Sequence, residues 1–151
     1  MTDESAALRW SHVGLNCRDL DTTEDFYHTW FGFERARVVG QGTDRIVFLR
    51  KGDAYLELFS SEAGAAAEPA GDGPHRTGLV RHLAFQTDQL EKFLDRLNAT
   101  VPVTLGPLRF DEVIPGWRTV WISDPDGVVV EVSQGYRDHE NAGSARLTPP
   151  P

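Results

Sequence analysis

The chain repeats itself. WSHVGLNCRDLDTTEDFYHTWFGFE, starting at Trp10, and VRHLAFQTDQLEKFLDRLN, starting at Val80, follow one order: a β-like run with a histidine near its start, a short acidic stretch, then apolar residues at helical spacing. In the first copy Phe26 with Trp30 and Tyr27 with Phe31 fall one helical turn apart, and Gly32 marks the stop. In the second the stripe is Leu90, Phe93, Leu94 and Leu97. Asp21 to Glu24 and Asp88 to Glu91 have the form of capping boxes and predict the two helix starts. Each helix is followed by three strand-like pieces, 35–39, 45–50 and 54–60 in the first copy and 101–105, 119–123 and 128–133 in the second. Both halves therefore read β-α-β-β-β. One such module exposes an apolar sheet face that it cannot bury alone, so modules must pair, within a chain or between chains.

This predicts an α+β protein of two tandem βαβββ modules, the first over residues 8–60 and the second over 79–135. Between them, 61–78 is rich in Ala, Gly and Pro and reads as a linker; 1–7 and 136–151 read as tails. With 151 residues, 40% of them hydrophobic, the chain is long enough for a core without staples. The formal charge of -8 and the absence of a Lys/Arg cluster argue against nucleic acid and anionic membrane surfaces as partners. One cysteine, Cys17, excludes an internal disulfide, and no apolar run approaches the roughly 20 residues of a membrane span. The opening MTDESAALRW has neither the basic nor the apolar region of a signal peptide, so a cytoplasmic protein is expected.

Within VWISDPDGVVVEVSQ, residues 120–134, one residue is discordant. Glu131 interrupts a run of valines, and a carboxylate buried without a partner costs several kcal/mol, roughly. Superposing the halves suggests the partner. His12 and His82 occupy the first strand of each module, Glu57 and Glu131 the last. Pseudo-twofold pairing would gather these two imidazoles and two carboxylates around one point, a donor set suited to a divalent cation, which would offset the burial of both glutamates. His28, His75 and His139 have no counterpart in the other half and stand outside this set. Asp124 and Asp126 flank Pro125 and precede or adjoin Gly127, a composition that serves a turn.

The duplicated β-α-β-β-β order, H-V-G-L-N-C-R-D-L-D from His12 with F-Y and F-G-F downstream, H-L-A-F from His82 and D-P-D-G-V-V-V-E from Asp124 together resemble the vicinal oxygen chelate superfamily of glyoxalases, bleomycin-resistance proteins and extradiol dioxygenases. The resemblance spans Leu8 to Gln134. It implies a curved mixed sheet that cups one divalent ion (Ni, Co, Zn, Mn or Fe), with His12, Glu57, His82 and Glu131 as ligands, and a homodimer acting on a small-molecule substrate. Two His with two Glu is similar to glyoxalase I, in which a ligand glutamate moves a proton between adjacent carbons, so Glu57 and Glu131 are the candidate bases. Methylmalonyl-CoA epimerases carry Gln at the place of Glu57. The glutathione-recognising arginine of glyoxalase I is replaced by Asn16, and the asparagine that follows its first glutamate by Ser61, which points to a substrate other than glutathione. The reading that results is a metal-dependent lyase or isomerase. The alternatives are an iron(II) dioxygenase using His12, His82 and Glu131, and a metal-free antibiotic-binding protein.

Strand alternation names the pocket walls. Residues two apart share a face, so His12 brings Trp10 and Asn16, Glu57 brings Tyr55 and Phe59, His82 brings Gln86, and Glu131 brings Ser133. The segment 107–118 is expected to be a loop at the mouth, offering Trp117 and an arginine, Arg109 or Arg118, to a substrate carboxylate. Aromatic walls with a few neutral polar groups suit a neutral or singly charged organic molecule.

Overall fold

A computed structural model describes residues 7–62, 64 and 68–140; most of the two expected tails falls outside these. The order is β1 (Val13–Cys17), α1 (Leu20–Phe31), β2 (Glu34–Val39), β3 (Ile46–Lys51), β4 (Ala54–Ser60), β5 (Leu83–Gln86), α2 (Leu90–Arg96), β6 (Val103–Arg109), β7 (Arg118–Ser123) and β8 (Val129–Gln134), with a 3-10 turn at Gly42–Asp44. The strands form two four-stranded mixed sheets, ordered β1-β4-β3-β2 and β5-β8-β7-β6. The first strand of each half pairs in parallel with the last, and the other pairings are antiparallel. The topology is thus the same in both halves, as the duplicated sequence predicts. Among the described residues no helix is long and apolar enough to cross a membrane.

The chain divides into two compact units, one of Met1–Glu68 with Asp124–Val128, the other of Pro69–Ser123 with Val129–Pro151. In the first unit strand alternation sets two unlike faces. Leu15, Cys17, Val47, Leu49, Leu56 and Leu58 are buried on the side of α1, where Leu20, Phe26, Tyr27 and Phe31 complete the core. Each such side chain taken fully from water stabilises the fold by about 1.5–3 kcal/mol. Tyr55, Glu57 and Phe59 alternate with these leucines along β4 and stay partly open. Helix α1 begins two residues earlier than its capping box predicts. Asp19 is the N-cap, its carboxylate accepting from the Thr22 amide at 2.8 Å. Gly32 ends the helix in the left-handed region at φ 72°, as expected.

The turn Asp124–Val128 belongs to this unit and fastens α1. Asp124 accepts from the amides of Asp126 and Val128 at 2.8 and 2.9 Å with one oxygen and from the Tyr27 hydroxyl at 2.9 Å with the other. Asp126 accepts from the Thr23 hydroxyl at 2.6 Å and the Arg18 amide at 2.9 Å. Burial raises the Asp124 carboxyl above its ordinary value, and pushes the enclosed Cys17 thiol up to about 12.

In the second unit Val120, Ile122, Val130 and Val132 pack toward Leu90 and Phe93 of α2. The capping box expected at Asp88 does not form. Gln89 is the N-cap and makes no side-chain cap; the Leu90 amide instead donates to Oε1 of Gln134, at the end of β8, at 2.9 Å. Strand β6 runs further than predicted, to Arg109, through two register irregularities against β7. The mouth loop expected over 107–118 is thereby shortened.

Candidate functional site

The four residues singled out by the repeat appear as two matched pairs, one in each unit. In the first, His12 Nε2 lies 2.8 Å from Oε2 of Glu57. In the second, His82 Nε2 lies 2.8 Å from Oε2 of Glu131. Each histidine directly precedes an edge strand, and each glutamate lies on the adjoining parallel strand, on the face opposite the helix-packed core. That placement follows from the period of two. Leu56 and Leu58 turn one way and Glu57 the other; Val130 and Val132 turn one way and Glu131 the other.

The surroundings of the pairs differ. Glu131 is held at both oxygens, because Oε1 accepts from the Thr119 hydroxyl at 2.9 Å. Thr119 is itself completely buried on β7. His12 is the one polar partner of Glu57 among the described residues. The other ring nitrogen, Nδ1, meets the Ser11 hydroxyl at 2.7 Å in His12 and the carbonyl oxygen of Asp72 at 2.7 Å in His82. Ring contacts add shape: Phe48 stands edge-on to His12 at 5.8 Å and Trp121 to His82 at 6.5 Å between centroids.

The donor chemistry tests whether these residues fit a metal. A carbonyl oxygen only accepts, so Nδ1 of His82 carries the ring proton, and a neutral ring then turns a bare Nε2 lone pair toward Glu131. Two acceptors at 2.8 Å need a proton or a cation between them. An imidazole bonded through one nitrogen to a backbone carbonyl, with the other facing a carboxylate, is the arrangement metal-binding histidines adopt. The residues fit a divalent ion. Among the described residues, no three or more His, Cys, Asp or Glu side chains gather closely enough to hold one, so each pair by itself offers two ligands.

A pocket of about 780 Å³ opens beside His12 in the first unit, lined by Arg9, Trp10, Phe48, Asp53 and Tyr55 among others. Trp10, which precedes β1 and is largely exposed, and Tyr55 of β4 both line it. Phe48 escapes the sequence reading, although its register opposite Glu57 puts it on the same face, and Asp53 comes from the β3–β4 turn. Asn16 is exposed on β1 and Phe59 half-buried on β4. In the second unit Gln86 is exposed on β5 and Ser133 buried on β8. Trp117 is packed between Phe110 and Tyr136, at 4.8 and 5.7 Å between ring centroids. Arg109 is exposed at the end of β6. Arg118, the other arginine considered for a substrate carboxylate, is instead paired with Glu91 of α2.

The family model described as the Glyoxalase/Bleomycin resistance protein/Dioxygenase superfamily matches residues 9–132. Among solved structures, a glyoxalase family protein from Enterococcus faecalis is 30% identical, with 83% of this chain and 96% of that chain covered and a TM-score of 0.62. A mutant of the genomically encoded fosfomycin resistance protein FosX from Listeria monocytogenes, complexed with Mn(II) and 1S,2S-dihydroxypropylphosphonic acid, is 18% identical, covers 90% of this chain and 97% of that chain, and has a TM-score of 0.66. FosX from Mesorhizobium loti is 17% identical over 91% of this chain and 98% of that chain, with a TM-score of 0.59. No curated protein matches the chain.

Proposed function

Because the chain belongs to the Glyoxalase/Bleomycin resistance protein/Dioxygenase superfamily, we propose that it is a divalent-metal-dependent enzyme that moves a proton on a carbon next to a carbonyl or hydroxyl, a lyase or isomerase of the glyoxalase type. His12, Glu57, His82 and Glu131 are its ligands. The observation that carries this reading is the pair of His–Glu contacts at 2.8 Å, recurring at equivalent places in both sheets.

A divalent ion bound there polarises a substrate oxygen and lowers the cost of removing the neighbouring C–H proton. The residues divide the remaining work. Glu131, fixed by His82 and Thr119, stays in place as a ligand. Among the described residues Glu57 has only His12 to hold it, so it is the carboxylate free to swing toward substrate, take the proton on an oxygen and return it to the product carbon. Trp10, Phe48 and Tyr55 offer aromatic surface to the organic part of the substrate, with Asn16 and Phe59 extending the same face.

Elemental analysis after reloading with Mn(II), the ion in the FosX complex, tests the ligand set. Uptake of an ion by the wild type and its loss in a His12→Ala, Glu131→Ala double variant support the reading; equal uptake by both ends it. Incorporation of deuterium from D2O into substrates drawn from hydroxyketones, vicinal diols and phosphonates tests the chemistry. Oxygen consumption by iron-loaded protein without deuterium exchange would replace proton transfer by oxygenation, and tight antibiotic binding without metal would replace both.

A further inference from the structure

The stretch between the halves has the composition of a flexible connector, yet part of it is tightly held in the second unit. The Gly73 amide donates to the Ala70 carbonyl at 3.0 Å and closes a turn, and the Thr104 hydroxyl on β6 donates to the Gly71 carbonyl at 2.7 Å. Gly73 has φ 112° and is buried; a Cβ built on it would lie 1.7 Å from the carbonyl oxygen of Arg81. No other residue fits there without moving the backbone next to His82.

Between the two glycines stands Asp72. Its carboxylate accepts from His75 at 2.7 Å and Arg81 at 3.2 Å, and these contacts, the His75 hydrogen bond foremost, hold its carboxyl below the ordinary value. Its main-chain carbonyl accepts from Nδ1 of His82 at 2.7 Å. The same residue is therefore clamped through its side chain and orients the imidazole through its backbone. Among the described residues nothing comparable acts on His12, whose Nδ1 meets the adjoining Ser11 hydroxyl, a group that can donate or accept.

We propose that residues 71–73 form a positioning strap for His82, in which the Asp72 carbonyl fixes the proton on Nδ1 and aims Nε2 at Glu131, while the Asp72 side chain and the clearance at Gly73 hold that carbonyl in place. The inference rests on the reading of His82 as a metal ligand. Asp72 and Gly73 are positioning residues that act through the imidazole. The strap confers on one of the two histidines a fixed tautomer before any ion arrives, so His82 is the preorganised ligand and His12 the adaptable one.

The test uses the full chain and two readouts. Nitrogen-15 NMR of the apo protein should show Nδ1 of His82 protonated, with its proton slow to exchange. Asp72→Ala should speed that exchange and lower Mn(II) affinity, measured by calorimetry, roughly tenfold, the scale of losing an outer partner of a ligand. Asp72→Asn, which keeps an oxygen acceptor for His75 or Arg81, should recover most of both. Gly73→Ala should be worse than Asp72→Ala; if it fails to fold, the Asp72 pair decides. A bare Nδ1 in the wild type, or unchanged proton exchange and Mn(II) affinity in Asp72→Ala, overturns the strap. If the wild type takes up no Mn(II), the metal reading fails, and the Nδ1 proton still decides whether the strap orients His82.

Discussion

The hydroxyl of Thr119 reaches diagonally across the β7–β8 pair to Oε1 of Glu131 at 2.9 Å, while Oε2 of the same carboxylate faces His82. A fully buried threonine thus sets the plane of the carboxylate. Thr119→Val keeps the shape and removes the donor, leaving that oxygen without its partner at a cost of about 1–3 kcal/mol. Mn(II) affinity should fall roughly tenfold, and Thr119→Ser should restore it. Equal affinities in a metal titration of the three proteins would show that the hydroxyl has no part in holding Glu131.

The two glutamates should fail in different ways. Gln preserves size and an acceptor oxygen while removing charge and basicity. Glu131→Gln should lose metal affinity, and Glu57→Gln should retain most metal yet lose deuterium exchange by about 100-fold or more, the scale of a general base. Metal content measured beside exchange rate assigns the roles, and the reverse pattern would transfer the base to Glu131.

Tyr27 and Asp124 hold α1 to the turn at Asp124–Val128. Tyr27→Phe removes the hydroxyl and with it one hydrogen bond to a buried carboxylate, which should lower stability by about 1–3 kcal/mol in urea unfolding. An unchanged midpoint would mean that water replaces the hydroxyl.

Acid should act on the helix cap in a defined direction. Hydrogen bonds from Thr22 hold the Asp19 carboxyl below its ordinary value. A depressed folded value favours the unfolded chain on protonation, so the cap stabilises the fold above the ordinary carboxylate range and stops doing so as pH falls through the folded value. Asp19→Ala should be less stable than wild type near neutrality, with the gap closing in acid. Thermal midpoints of both proteins across that range check it, and a gap independent of pH would contradict it. Asp124, raised by burial, acts with the opposite sign, its contribution weakening as pH rises.

Assembly is open to a mixing experiment. If sites are shared between the chains of a homodimer, inactive His12→Ala and inactive His82→Ala chains should regain activity when refolded together, because both lesions then fall in one site and the other is intact. No recovery, with mixed dimers shown to form, would place all ligands of a site on one chain.

What was legible in the sequence was whatever follows from period and repetition. The βαβββ duplication and the His–Glu correspondence follow from two similar segments and one carboxylate out of place among valines; the parallel pairing of first and last strands came from the structure. Contacts distant in sequence were not legible. Gln134 caps α2 from the end of β8, a role that no local pattern at residues 88–91 announces. Arg118 finds Glu91, and the duty of Thr119 emerges only once β7 and β8 are in register. The strap at 71–73 was hidden by composition, since the glycines that mark a loose connector are also those that permit a close backbone crossing.

The turn at Asp124–Val128 has a consequence for how the protein is made. Thr23 and Tyr27 emerge from the ribosome about a hundred residues before the aspartates that receive their hydroxyl protons. Until then the Tyr27 hydroxyl lacks this acceptor, so the first unit is less stable on the nascent chain than in the finished protein, by about the 1–3 kcal/mol that such a bond contributes. Cutting the gene between the halves would yield an amino-terminal fragment without its latch, less stable than the same residues in the whole chain.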